Sequence, residues 1–272
     1  MAEAVSPTDS SSPVQTGDLL AGKYRVEKVL GVGGMGVVVA ATHVELGQRI
    51  ALKFLLPHLA ANAEASARFL REARAAVSLT SEHAVRVHDV GRLESGAPYL
   101  VMEFLEGCDL SDVLQNEGAL PVARCVDYVL QAIDALAEAH AAGIVHRDLK
   151  PSNLFLARRG RAQRIKVLDF GISKLAAETQ ARLDLTGTNA VLGSPFYMAP
   201  EQMRSTRTVD QRADIWSLGV ILYELSTGRL PFSTGVLTEL CLMIAQDTPV
   251  ENGRRPVDSS YRITPSDQMS AR

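Results

Sequence analysis

Four glycines within six residues, Gly31-Val32-Gly33-Gly34-Met35-Gly36, run straight into Val37-Val38-Val39. A glycine-rich loop of the dinucleotide-binding kind must open a helix, because the helix N-terminus supplies the pyrophosphate site. Three successive β-branched residues favour a strand instead, so a dinucleotide-dependent oxidoreductase fails here. The segment reads as strand, glycine turn, strand: a hairpin whose backbone N–H groups can close over phosphates with no side chains in the way. At this point a plain hairpin without a ligand is the alternative. A second glycine pair, Gly17 to Gly22-Lys23, nearly fits the P-loop spacing. It is set aside, since Tyr24 stands where a metal-binding hydroxyl is needed and a strand pattern follows.

Around the hairpin, short β-branched runs at Tyr24–Val26 and Ile50–Phe54 predict a strand meander. An Ala/Arg/Glu-rich helix follows at about 62–79, placing Phe69, Glu72, Ala73, Ala76 and Leu79 on one face. Strands at Val85–Val90 and Tyr99–Phe104 complete a small lobe of about 22–104. Beyond Gly107 the pattern turns helical. Pro121 suits a first turn, Cys125, Val129, Ile133, Leu136 and His140 repeat at helical spacing as core, and Gly143 ends the helix. Two short strands near 153–156 and 165–168 and an apolar helix at Asp214–Thr227 follow. The fold class is therefore α+β, with an antiparallel-sheet lobe bearing one helix and a mostly α lobe of about 105–249. Residues 1–21 and 250–272, rich in Ser, Pro and other small or polar residues, are expected to be a flexible tail and a poorly ordered tail.

Lys+Arg 28 against Asp+Glu 31, with no basic stripe, argues against a nucleic-acid partner. The three cysteines, Cys108, Cys125 and Cys241, form no C-x-x-C and leave one over after any pairing, which suits a reducing compartment. No secretory signal pattern and no membrane-spanning apolar run occur, so a cytoplasmic location is expected.

The chemistry-bearing motifs come in a fixed order. After the glycine hairpin stand Ala51-Leu52-Lys53 and helical Glu72, then His146-Arg147-Asp148-Leu149-Lys150-Pro151-Ser152-Asn153, Asp169-Phe170-Gly171 and Ala199-Pro200-Glu201. This series resembles the eukaryotic-like protein kinase family. The stretches GGMGVV, RFLREARAA, YLVMEFLEG, GIVHRDLKPSN and GSPFYMAPEQ are similar to its bacterial serine/threonine branch, over about residues 22–249. Lys150-Pro151 matches the serine/threonine form of the catalytic loop.

The resemblance implies a bilobal kinase fold, ATP and Mg2+ as cofactors, and proteins bearing Ser or Thr as partners. It makes Lys53 the α/β-phosphate ligand oriented by Glu72, Asp148 the carboxylate that receives or orients the acceptor proton, and Lys150 the group that steadies the γ-phosphate. Asn153 and Asp169 become the magnesium ligands. Gly31, Val32, Gly33, Gly34, Met35 and Gly36 cover the phosphates, and adenine lies between Val38 and Ala51 above and Phe155 below. Met102 stands at the back wall, Glu103 and Leu105 offer backbone groups to adenine, and Asp109 takes the ribose position. His146 is a packed structural residue beneath Phe170. Thr186 and Thr188 become candidate phosphoacceptors whose phosphate would pair with Arg147, and Ser194 fills a position usually held by Thr.

The chain departs from the family after Pro231-Phe232: the helical pattern stops near Gln246, and residues 251–272 hold no match for the arginine that pairs with the glutamate at Glu201. A shortened large lobe is expected, with apolar surface around Trp216, Leu218, Val220 and Leu222 less covered, low thermal stability that rises with Mg-ATP, and a tendency to self-associate. A truncated kinase fold that binds nucleotide or a partner with little turnover remains the alternative, against which the retention of Lys53, Asp148, Asn153 and Asp169 argues.

Overall fold

The structure is a computed structural model and describes residues 14–33, 36–160, 162–170, 194–204, 209–234 and 236–246. The small lobe is built on strands β1 (Leu19–Leu20), β2 (Tyr24–Val32), β3 (Gly36–His43), β4 (Arg49–Leu55), β5 (Val87–Arg92) and β6 (Pro98–Glu103), an antiparallel sheet ordered β1-β2-β3-β4-β6-β5. Between β4 and β5 lie the short helix α1 (Pro57–Ala60) and α2 (Ala63–Val77), whose N-terminus is capped by Asn62 accepting from Ala65 N at 3.0 Å.

Alternation along the strands decides what each face carries. Val37, Val39, Ala41, Ile50, Leu52, Phe54, Tyr99 and Val101 point to one face, where they pack with Tyr24 and Val26. Val38, Ala51, Leu55, Leu100 and Met102 point to the other, against Phe69, Ala73 and Ala76 of α2. The period of two therefore sends Lys53, between Leu52 and Phe54, to the α2 face with Ala51 and Leu55, where it is 7% exposed.

Part of the tail expected over 1–21 is ordered in the small lobe. Val14 is buried in the cluster with Tyr24, and Leu19–Leu20 pairs with Tyr24 and Arg25, so residues 14–21 belong to the small lobe. Two leucines and a valine spread over polar company carry little periodicity, but a sheet edge and an uncovered apolar face give them a place.

The large lobe comprises β7 (Gly107–Asp109), α3 (Leu110–Glu117), α4 (Val122–Ala141), β8 (Leu154–Arg159), β9 (Ala162–Val167), α5 (Pro200–Arg204), α6 (Arg212–Thr227) and α7 (Leu237–Gln246). The β7-β8-β9 ribbon lies on the core face of α4, where Cys125, Tyr128, Val129, Ala132, Leu136 and Ala139 pack with Leu154, Leu156, Ile165 and Val167, and with Leu218, Ile221 and Leu225 of α6. Ile133, expected in that core, is exposed. Small alanines at 132, 135 and 139 take the inward turns and let the neighbouring elements approach closely. Pro121 is the N-cap of α4 rather than a first-turn residue, and Leu79 is buried just beyond the end of α2.

The expected bare face on α6 is corrected likewise. Leu218 and Val220 are buried, Leu222 packs on the main core, and Trp216 lies against Phe232, Leu240 and Ile244, contributed by α7 and the residues before it. Ile215 is the exposed large apolar residue of that helix.

Candidate active site

The loop between α4 and β8 is shaped by one carboxylate. Asp214, in the first turn of α6, is fully buried. Its Oδ2 accepts from His146 N at 2.9 Å and from the His140 ring at 2.7 Å, and its Oδ1 accepts from Arg147 N at 2.8 Å. Charge-assisted bonds of this kind hold Arg147 at φ +68°, a left-handed conformation that costs a non-glycine residue on the order of 1–3 kcal/mol. The Arg147 carbonyl accepts from Gln202 Nε2 at 2.9 Å, while Gln202 Oε1 accepts from Ala199 N at 2.9 Å, clamping α5 to the loop.

Past this strained point the chain turns through Pro151–Asn153, a single 3-10 turn started by proline. Asn153, 8% exposed, donates from Nδ2 to the Asp148 carbonyl at 2.7 Å and lies 3.3 Å from Asp148 Oδ2. The Asn153 amide oxygen is thereby directed away from Asp148. Lys150 Nζ lies 3.0 Å from Asp148 Oδ2. The fully buried His146 ring donates from Nε2 to the Leu168 carbonyl at 2.7 Å, leaving Nδ1 to face Asp148 N at 3.4 Å, and packs edge-on against Phe170 at 5.4 Å. It supports the two loops it lies between, as expected from the sequence.

Leu168 N donates to the Asn153 carbonyl at 2.9 Å, which sets the end of β9 beside that turn. Asp169 follows at φ +58°, and its Oδ1 meets Lys53 Nζ at 2.6 Å. Burial works against ionisation of this carboxyl, but the Lys53 ammonium, aided by the field of Lys150, holds it below the ordinary carboxylate range. Lys53 from the small lobe and Asp148, Lys150, Asn153 and Asp169 from the large one thus converge at the junction of the lobes. Glu72 sits on α2 one turn from Phe69 and Ala76, but its side chain lies outside what is described, as do Gly34, Met35, Gly171, Thr186 and Thr188.

The apolar pocket residues Val38, Ala51, Met102 and Leu105 fall in one cluster, joined by Leu168, which the sequence reading did not single out. Phe155 stands opposite Asp109 across β7 and β8. Asp109 caps α3, accepting from Asp112 N at 3.0 Å, and burial pushes its carboxyl pKa up. Gly31 and Val32 of β2 pair with Val38 and Val37, and Gly33 N donates to the Gly36 carbonyl at 2.9 Å, closing the hairpin. At Gly36 a Cβ would collide with the Phe54 carbonyl oxygen. That glycine is required by strand packing, whereas Gly31 has open space around its α-carbon.

A divalent cation fits this donor set. Among the described residues no cluster of three His, Cys, Asp or Glu could hold a metal unaided. One carboxylate, Asp169, and one amide, Asn153, on segments joined by the Leu168 N to Asn153 carbonyl bond would instead suit an ion such as Mg2+ that takes its other ligands from phosphate and water. Asp214, Gln202 and Leu168 are the contributors that the sequence reading missed. The one available signal was an acidic residue opening an otherwise apolar helix at Asp214, which by itself reads as favourable helix-dipole placement.

A small antiparallel sheet over a helical lobe, with a lysine and four polar loop residues meeting between them, defines a protein kinase domain. The family model described as the protein kinase domain matches residues 24–264, and the chain belongs to that family. It is 41% identical over 252 residues to serine/threonine-protein kinase pkn3 of Myxococcus xanthus, covering 92% of this chain and 45% of that protein. It is 47% identical over 213 residues to Pkn1 of the same organism, covering 78% of this chain and 30% of that protein. Against PknB of Mycolicibacterium smegmatis it is 36% identical, with 88% and 38% covered. The chain thus spans less than half the length of these relatives. Among solved structures, the Mycobacterium tuberculosis PknI kinase domain superposes with a TM-score of 0.63 at 30% identity, covering 84% of this chain and 85% of that one. No helix among the described residues is long and apolar enough to cross a membrane.

Proposed function

We propose that this chain transfers the γ-phosphate of ATP to Ser or Thr hydroxyls of proteins. The observation that carries the reading is a pair of adjoining contacts at the lobe junction: Lys53 of the small lobe on Asp169, and Lys150 and Asn153 on Asp148, the two joined by the Leu168 N to Asn153 carbonyl bond. Phosphoryl transfer asks the protein for alignment and charge neutralisation more than for covalent chemistry. Lys53 would hold the α- and β-phosphates. Asp148 would orient the acceptor hydroxyl and take up its proton, and Lys150 would neutralise charge on the transferred group. Asp169 and Asn153 would hold Mg2+, which when bound neutralises the phosphate oxygens. Val38, Ala51, Met102, Leu105, Leu168 and Phe155 would enclose adenine, with Asp109 towards the ribose.

Activation by phosphorylation at Thr186 or Thr188 fits Arg147. Its guanidinium donates to the Val209 carbonyl at 3.1 Å, while its buried Nε has no hydrogen-bond partner among the described residues. An added phosphate would supply one. Three free cysteines accord with a cytoplasmic location.

The test is phosphate transfer by purified protein with Mg-ATP and a Ser/Thr protein acceptor. Asp148→Asn, Lys53→Met and Asp169→Asn should each lower turnover by about 10²–10⁴-fold. Undiminished turnover in any of them would remove the assignment.

A further inference from the structure

One ion pair at the lobe junction is not used by the chemistry above. Lys166, on β9 three residues before Asp169, points its ammonium at Glu103 Oε1, 2.6 Å away, and donates to the Ala84 carbonyl at 3.1 Å. The same carboxylate oxygen accepts from Arg86 N at 2.8 Å, and Glu103 N donates to the Arg86 carbonyl at 3.0 Å. The two side chains are only 16% and 27% exposed, so the pair is shielded from the screening that weakens surface ion pairs. It therefore ties three segments at one point: the end of β6, the linker into β5, and the strand that delivers Asp169. Next to it the backbone repeats the tie, with Val85 N donating to the Val167 carbonyl at 3.0 Å and Val167 N to the His83 carbonyl at 2.7 Å.

We infer that Lys166 is a positioning residue that fixes the spacing between the adenine end of the site at Glu103 and its phosphate end at Asp169. This rests on the kinase reading above, which places adenine against the Glu103 backbone and the metal-bound phosphates against Asp169. Three residues of extended chain, about 10 Å, separate Lys166 from Asp169. A nucleotide that bridges the two ends requires that spacing to be set. With the clasp in place the spacing exists before binding, so little ordering accompanies it. Without the clasp the nucleotide must impose the spacing itself, and binding weakens. Once bound, the nucleotide holds both ends, so turnover changes far less. Adenosine touches only the Glu103 end and is indifferent to the spacing.

The experiment measures affinity for Mg-ATP and for adenosine, together with KM, kcat and melting temperature, in the wild type, Lys166→Met, Lys166→Arg and Lys166→Met combined with Glu103→Gln. The expected result for Lys166→Met is about tenfold weaker Mg-ATP binding and a KM raised to match, with adenosine affinity and kcat within about twofold of wild type. Lys166→Arg keeps the cation and should recover most of the affinity. The double variant should bind no more weakly than Lys166→Met alone, because both changes remove one interaction. Wild-type protein that binds Mg-ATP alongside a Lys166→Met variant that binds it equally well overturns the clasp and leaves the kinase reading standing. Equal weakening of adenosine and Mg-ATP, a lower melting temperature with unchanged affinity, or higher turnover would also overturn it. Wild-type protein that binds no Mg-ATP overturns both.

Discussion

Replacing Asp214 by asparagine tests how the catalytic loop is held. The carboxylate takes three bonds, two at Oδ2 from His140 and His146 N and one at Oδ1 from Arg147 N. Asparagine has one oxygen. In its better orientation that oxygen serves His140 and His146, and the new NH2 group faces the Arg147 N–H, donor against donor. A charge-assisted bond contributes about 1.5–3 kcal/mol, and a buried donor left unpaired adds roughly 1–3 more. The expected loss is therefore about 2.5–6 kcal/mol. At roughly 2–4 °C per kcal/mol for a chain near this size, the melting temperature should fall by about 5–24 °C. The bond lost is the one that holds Arg147 at φ +68°, so the loop should relax and carry Asp148 with it. Turnover should drop by at least tenfold, about 1.4 kcal/mol in the barrier. Thermal denaturation followed by circular dichroism, and transfer assays with saturating Mg-ATP below the mutant's transition, measure the two effects. A variant melting within about 2 °C of wild type with unchanged turnover would refute the argument that this carboxylate holds the loop.

Gly36→Ala should destabilise the protein by at least about 1–3 kcal/mol, read as a lower urea midpoint, because the added methyl meets the Phe54 carbonyl on the neighbouring strand; Gly31→Ala, in open space, should leave that midpoint nearly unchanged. Glu224 is raised above its ordinary 4.5 by burial, although the Tyr197 hydroxyl donates to it at 2.7 Å. A raised carboxyl favours the protonated folded state, so its stabilisation is complete below pH 4.5 and is lost as pH rises through the shifted value. Glu224→Gln, which still accepts from Tyr197, should therefore raise the melting temperature at neutral pH and lose that advantage in acid; a constant difference across pH would contradict the assignment. Phosphopeptide mapping of protein incubated with Mg-ATP should find phosphate at Thr186 or Thr188, and Arg147→Ala should abolish the accompanying rise in activity; a map without either site would count against activation there. Mg-ATP should raise the melting temperature of the wild type by mass action, and no shift at saturating nucleotide would contradict nucleotide binding.

Most of the elements, and the candidate site residues, were legible in the sequence alone. Valines after Gly36 force a strand, the two-residue period through Ile50–Phe54 turns Lys53 from the face of Leu52, and the order of the loop motifs names Asp148, Asn153 and Asp169. The first two are local properties of the chain, set by backbone sterics and side-chain alternation, and the third rests on the resemblance of the ordered motifs to a known family. The tertiary structure decided what depends on partners far away in sequence. Residues 14–21 fold because the outer face of the sheet offers them cover, and Ile133 faces out because alanines take the close contacts on α4. Gly36 is fixed by a carbonyl on the adjacent strand, Asp214 becomes the anchor of a loop 67 residues before it, and Lys166 reaches a carboxylate 63 residues away. A buried charge or a missing Cβ takes its meaning from the groups that face it, and only the packed chain brings those groups together.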